Sequence, residues 1–203
     1  PDGWLPQEAL RRALRTIARD DQSNLTTYGE PLGFRHLRQH LAHRLGEQGI
    51  DIAGGEILLT DSGTQAIDLI CRYLLQPGDT VLVDDPCYFN FQAVLLTHRV
   101  KLVGVPYTHS GPDLDAFANA ATEHAPKLYI SNAGLHNPTG GIMTPATAHR
   151  LLKLAEAHGI TLVEDNIFGD FHPSPTPLLA ELDGFERVLH IGSFSKTLSA
   201  AAR

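Results

Sequence analysis

The sequence is poor in several residue types whose abundance would settle its class. It has two cysteines (Cys71 and Cys87), one tryptophan and one methionine in 203 residues. Two thiols cannot build a disulfide framework, so a small disulfide scaffold is excluded and a reducing, cytoplasmic setting is expected. Positive charge is scarce as well: 16 Lys and Arg against 23 Asp and Glu leave a formal charge of -7. A net acidic chain is a poor polyanion binder, so no nucleic-acid contact is expected from this segment. No apolar run approaches the about 20 residues of a membrane helix, and no membrane partner is expected. The only methionine is Met143, the first residue is Pro1 and the last is Arg203. The expectation from these ends is a piece of a longer protein.

What the chain does have is a globular composition, 42% hydrophobic and 19% charged, enough to build a sizeable core. Short aliphatic runs alternate with helical periods, the pattern of an α/β fold with a largely parallel sheet. A helix is predicted over Leu5 to Ala18 and a second from near Pro31, where Phe34, Leu37, Leu41 and Leu45 form one apolar stripe. Its other face carries Arg35, Arg38, His43 and Arg44, expected to be solvated. Six strands are predicted, at Glu56–Thr60, Thr80–Asp84, Lys101–Val105, Lys127–Ser131, Ile160–Glu164 and Val188–Ile191. Helices are expected through Leu75, around Phe91 to Thr97, and from a Thr144 cap with Pro145 to a Gly159 stop. The strands are near-continuously apolar, as expected where helices cover both faces. Ligands of such sheets bind at the carboxyl ends of the strands.

Four strand ends carry chemistry. Ser62-Gly63-Thr64-Gln65 opens a helix, and free amides with hydroxyls there suit a phosphate; the plainer reading is a helix cap. Asn137-Pro138-Thr139-Gly140 reads either as a Pro-Gly turn or as a placed amide able to donate and accept. Glu164-Asp165-Asn166 closes an apolar strand, so its carboxylate is expected to be half-buried and to need a partner, unless it only caps a turn. Gly192 to Ser199 places Lys196 among hydroxyls, where it is either a solvated cation or an amine nucleophile. In this order, a phosphate cradle, an amide, a carboxylate for a ring nitrogen and a lysine are what pyridoxal 5'-phosphate requires.

On these ordered motifs the sequence resembles the fold-type I, aspartate-aminotransferase-like enzymes over nearly its whole length. The resemblance implies a three-layer α/β/α large domain that is incomplete at its C-terminus. Residues 1–50 would form a helical dimer-contact region and residues 51–203 the partial cofactor domain. Lys196 would be the Schiff-base lysine and proton shuttle. Asp165 would pair with the ring nitrogen, and Asn137 with the phenolic oxygen. Ser62, Gly63, Thr64, Gln65, Ser193, Ser195 and Arg203 would hold the cofactor, chiefly at its phosphate, and Tyr88 would stack on the ring. Tyr28 would reach across a homodimer to the partner's phosphate. No metal is implied.

One departure stands out. Many relatives carry a tyrosine three residues after the aspartate, where this chain has Phe168. The stretches Tyr28 to Arg38, Gly192 to Leu198 and Asp165 to Pro173 look most like MocR-type GntR-superfamily regulators, and next like aminoadipate-type aminotransferases. The first implies an effector sensor whose DNA-binding winged helix lies outside this segment. The second implies amino-group transfer between an amino acid and a 2-oxo acid. In either case a small C-terminal domain is expected beyond Arg203, and this piece alone is expected to be inactive.

Overall fold

The computed structural model describes residues 5–19, 28–47, 49–171 and 178–199. The chain divides into two compact units, residues 1–60 with 194–203, and residues 61–193.

The first unit contains α1 (Gln7–Arg19) and α2 (Arg35–Glu47). Helix α2 begins later than expected from Pro31. Gly33 bends the chain before it, with φ +88° and its N–H bonded to Glu30 O at 2.8 Å. A Cβ at Gly33 would stand 2.6 Å from Leu59 Cβ, so no side chain fits. The expectation of a fully solvated basic face is wrong at Arg38, which is only 6% exposed. Its guanidinium donates to Gly33 O at 3.0 Å and Gly54 O at 2.5 Å, and pairs with Glu30 at 2.7 Å. A fork of five donors lets a buried Arg meet three acceptors together. The expected strand Glu56–Thr60 is also absent. Gly54–Glu56 is instead a 3-10 turn, and Leu59 N–H bonds to Leu32 O at 3.0 Å.

The second unit is a six-stranded sheet with helices on both faces. In chain order it holds α3 (Gly63–Leu74), β1 (Thr80–Asp85), α4 (Phe89–Thr97), β2 (Lys101–Thr108), β3 (Gly111–Pro112), α5 (Leu114–His124), β4 (Leu128–Ser131), α6 (Pro145–His158), β5 (Thr161–Asp165), α7 (Leu179–Asp183) and β6 (Val188–Ile191). The strand order is β3-β2-β1-β4-β5-β6. Every pairing is parallel except the short β2–β3 hairpin. Five of the six expected strands are present; β3, α5 and α7 were not foreseen. The caps of α6 are those expected, Thr144 Oγ1 accepting from Thr147 N–H at 3.2 Å and Gly159 ending the helix at φ +65°.

The pleat sorts the core into two layers. Leu82, Tyr129 and Leu162 pack with Phe117, Leu151 and Leu179 under α5, α6 and α7. Val81, Val83, Leu128, Ile130 and Val163 pack with Ile67, Cys71, Phe91 and Leu95 under α3 and α4. Each such buried aliphatic side chain contributes about 1.5–3 kcal/mol of transfer free energy. Strands buried on both sides leave chemistry only at their ends.

Candidate functional site

Three strand ends and one helix start carry the polar residues of the second unit. At the start of α3, Ser62 Oγ accepts the Gln65 N–H at 3.1 Å, the expected cap. Gln65 Oε1 in turn accepts the Asp61 N–H at 2.6 Å. The Gly63 and Thr64 amides have no acceptor among the described residues. A Cβ on Gly63 would lie 3.9 Å from Ile191 and 4.0 Å from Ile167 side-chain carbons. The open end of α3 therefore sits beside the carboxyl ends of β5 and β6.

Two carboxylates end β5, and the pleat sends them to opposite faces. Glu164 is fully buried and accepts the Leu179 and Ala180 N–H groups at 2.7 and 3.2 Å, with His190 Nδ1 at 3.0 Å. It is a structural anchor for α7. Asp165, on the α3 side, is 5% exposed rather than half-buried. Its Oδ1 accepts the Ile167 N–H at 3.1 Å. Burial pushes its carboxyl up from 3.8 to about 6, partly offset by the Ile167 amide, Asn132 and His190. A buried carboxylate this strained is a functional-site signal.

The strand order reverses between β1 and β4, the position where α/β sheets open a crevice. Asp84, near the end of β1, is 2% exposed. It accepts the Tyr129 hydroxyl, the Ser131 hydroxyl at 2.9 Å and the Asn132 N–H at 3.1 Å. Desolvation and the adjacent Asp84 charge raise the Tyr129 phenol well above its ordinary range. His136 Nε2 stands 3.3 Å from Asp84 Oδ2. Asn132 also donates to the backbone oxygen of Asp165 at 3.4 Å, linking β1 to β5 across β4. Sequence reading missed Asp84, Asn132 and His136. The available signal was an acidic residue closing the apolar run Thr80 to Val83, as Glu164 and Asp165 close theirs.

Asn137 follows directly. It is half-buried, and its side chain has no hydrogen bond among the described residues. Tyr88 precedes α4; its hydroxyl accepts from Asn90 at 2.9 Å and its ring meets Phe91 edge-on at 5.7 Å. Phe168 packs on Phe171 at 6.4 Å, and Ser193 is half-buried. Ser195, Lys196 and Tyr28 belong to the first unit. There the Phe194 carbonyl accepts from Thr197, Leu198 and Ser199, forming the turn that carries an exposed Lys196. Tyr28 is wholly exposed. Arg203 lies outside the described residues. A shallow cavity of about 240 Å³ beside Thr108, Asp113 and Arg150 shares no residue with this cluster.

A mostly parallel sheet between two helical layers, with a helix start beside a buried aspartate at the strand ends, defines an α/β domain whose polar residues gather at the carboxyl ends of its strands. Residues 2–203 match the model for aminotransferase class I and II, and the chain belongs to that family. It is 32% identical to the HTH-type transcriptional regulator YdcR of Escherichia coli, over 98% of this chain and 43% of that one. It is 30% identical to 2-aminoadipate transaminase of Thermus thermophilus, over 98% and 50%. Among solved structures it resembles the α-aminoadipate aminotransferase LysN of the same species, at TM-score 0.89, 29% identity and 97% and 51% coverage. It also resembles the Pyrococcus horikoshii kynurenine aminotransferase determined with PMP, at TM-score 0.88, 28% identity and 96% and 50% coverage. The chain thus spans about half the length of the relatives it matches. Among the described residues no helix is long and apolar enough to cross a membrane.

Proposed function

We propose that this chain is the pyridoxal 5'-phosphate-binding domain of an aminotransferase-like protein that moves an amino group between an amino acid and a 2-oxo acid. The observation that carries the reading is Asp165, a carboxylate at a strand end whose burial pushes it up to about 6, so that a cation beside it would be bound favourably. A protonated ring nitrogen is such a partner. The donor set also fits: two unaccepted amides at α3 suit a phosphate, and the Asn137 amide suits a phenolic oxygen. When bound, the cofactor supplies an electron sink. Asp165 would hold a proton at the ring nitrogen, Asn137 would orient the ring, and Tyr88 would cover one face. Gly63, Thr64 and Ser193 would grip the phosphate, and Lys196 would supply the amine that carries protons at the reacting carbon. A homodimer would bring Tyr28 of one copy to the other.

The test is covalent trapping. The full-length protein carrying this chain is incubated with pyridoxal phosphate, reduced with borohydride and mapped by mass spectrometry. One adduct at Lys196 is expected; none there overturns the assignment.

A second reading, an effector-sensing domain of a MocR-type regulator with little turnover, is favoured by the regulator relatives and by Phe168. A hydroxyl donor at this position would stabilise the deprotonated phenolic oxygen. Phe168→Tyr is therefore expected to lower the pH midpoint of the bound cofactor's visible absorbance by about one pH unit, the worth of one hydrogen bond. A spectrophotometric titration that finds the midpoint unmoved or raised removes Phe168 as the tuning position.

A further inference from the structure

Asn137 makes no side-chain hydrogen bond among the described residues, yet the proposed function needs its amide aimed at one oxygen. What fixes it lies one residue earlier. His136 is 2% exposed, and its backbone, its ring face and its Nδ1 are engaged, while its buried Nε2 makes no hydrogen bond among the described residues. Its backbone N–H bonds to Gly141 O at 2.9 Å, and its carbonyl accepts from Gly140 N–H at 2.8 Å, so it closes the turn that carries Asn137. Its ring stacks on Tyr107 at 3.7 Å with 17° between planes.

The tautomer follows from the partners. Thr139 Oγ1 accepts the Gly141 N–H at 3.2 Å, so its own hydrogen is available for His136 Nδ1 at 2.8 Å. Nδ1 then accepts, which leaves the proton on Nε2; that nitrogen lies 3.3 Å from Asp84 Oδ2, close enough for electrostatic attraction but not aligned as a hydrogen bond. Asp84 is itself pinned by Tyr129, Ser131 and Asn132. The ring therefore ties the loop after β4 to the end of β1, across the point where the strand order reverses.

We propose that His136 is a positioning residue for the cofactor site: set beside Asp84 and clamped by Tyr107 and Thr139, it holds Asn137 in the orientation that contacts the phenolic oxygen. This rests on the cofactor reading given above. The groups facing the ring are Asp84, Tyr107 and Thr139, with Tyr129 next on Asp84. His136 touches no reacting atom; it acts through Asn137.

That wording dictates a double-mutant cycle. His136→Phe keeps a ring for Tyr107 and removes both nitrogens. Thr139→Val removes the hydroxyl partner of Nδ1 from an exposed position, leaving only the longer Thr139 N–H contact at 3.5 Å, and decides the matter if His136→Phe does not fold. Each is made alone and in Asn137→Ala, in the full-length protein loaded with pyridoxal phosphate. The readouts are the pH midpoint of the visible absorbance and the cofactor Kd. Losing a donor to the phenolic oxygen raises the midpoint, so His136→Phe is expected to raise it by about one pH unit and to weaken binding about tenfold. In the Asn137→Ala background the same change is expected to add less than about 0.3 pH unit, because the effect runs through a side chain already gone. An undiminished shift in that background, or no shift in a folded single variant, overturns the proposal alone. A parent protein that binds no cofactor overturns the cofactor reading with it.

Discussion

Replacing Asp165 by asparagine is expected to stabilise the cofactor-free protein at pH 7.5 and to weaken its hold on pyridoxal phosphate. The two effects have one cause. Burial lifts the Asp165 carboxyl from 3.8 to about 6. The native state therefore binds this proton more tightly than the unfolded chain does. The stability this contributes is complete below about pH 4, declines as pH rises, and is gone above about pH 6, where an ionised carboxylate stays buried at a cost of about 3 kcal/mol. Asparagine keeps an oxygen for the Ile167 N–H and carries no charge. At pH 7.5 the variant is expected to melt about 7 °C higher, and near pH 4 the gain is expected to vanish. Scanning calorimetry at the two pH values checks this; a gain that does not depend on pH sinks the account. The cost falls on binding. With the carboxylate gone, the ring nitrogen loses its buried counter-charge, and the Kd is expected to rise on the order of a hundredfold. An unchanged Kd would mean that Asp165 is not the ring's partner.

Its neighbour should behave in the opposite way. Glu164→Ala removes the acceptor for the Leu179 and Ala180 amides and the partner of His190 Nδ1. These amides are buried with α7, so they are left without an acceptor rather than returned to water. Stranding buried donors around a deleted charge is expected to cost about 4 kcal/mol, or roughly 10 °C of melting temperature in a chain of this size. Glu164→Gln keeps one acceptor oxygen and should lose less than half as much. Chemical denaturation measures both. If alanine proves as harmless as glutamine, Glu164 does not anchor α7.

These adjacent residues also show where reading the sequence stops. The apolar run Ile160 to Val163 announces a buried strand, and the acidic pair announces something at its end. Which carboxylate serves the core and which the site depends on the pleat and on which helix covers each face, and no local window contains that. The motifs proposed to carry the site were legible because each is contiguous: Ser62 to Gln65, Asn137 to Gly140, Asp165 and Lys196. The support beneath them was not, since Asp84 stands near the end of β1 while Asn132 and His136 sit in the loop after β4, and only the strand order brings the two together. Arg38 was misread for the same reason. Its helical spacing is that of a solvated face, and its burial comes from Gly33 and Gly54 closing over it. Residues Glu56 to Thr60 carry strand chemistry, but a strand also needs a neighbour to pair with, and none is formed among the described residues.

The strand order has a further consequence, for how the chain assembles. In the parallel ladders, Thr80 pairs with Lys101, Leu162 with Val188, Leu128 with Thr161 and Val81 with Leu128. The last pair spans the longest stretch of chain, and it is the pair beside which the Asp84 network and the Asn137 turn are built. Closing it costs more chain entropy than any other parallel pair, by about 0.7 kcal/mol relative to the shortest. A folding route that closes short loops first would complete the sheet's flanks before this central seam. The residues proposed to orient the cofactor would then meet only when the two halves of the sheet join.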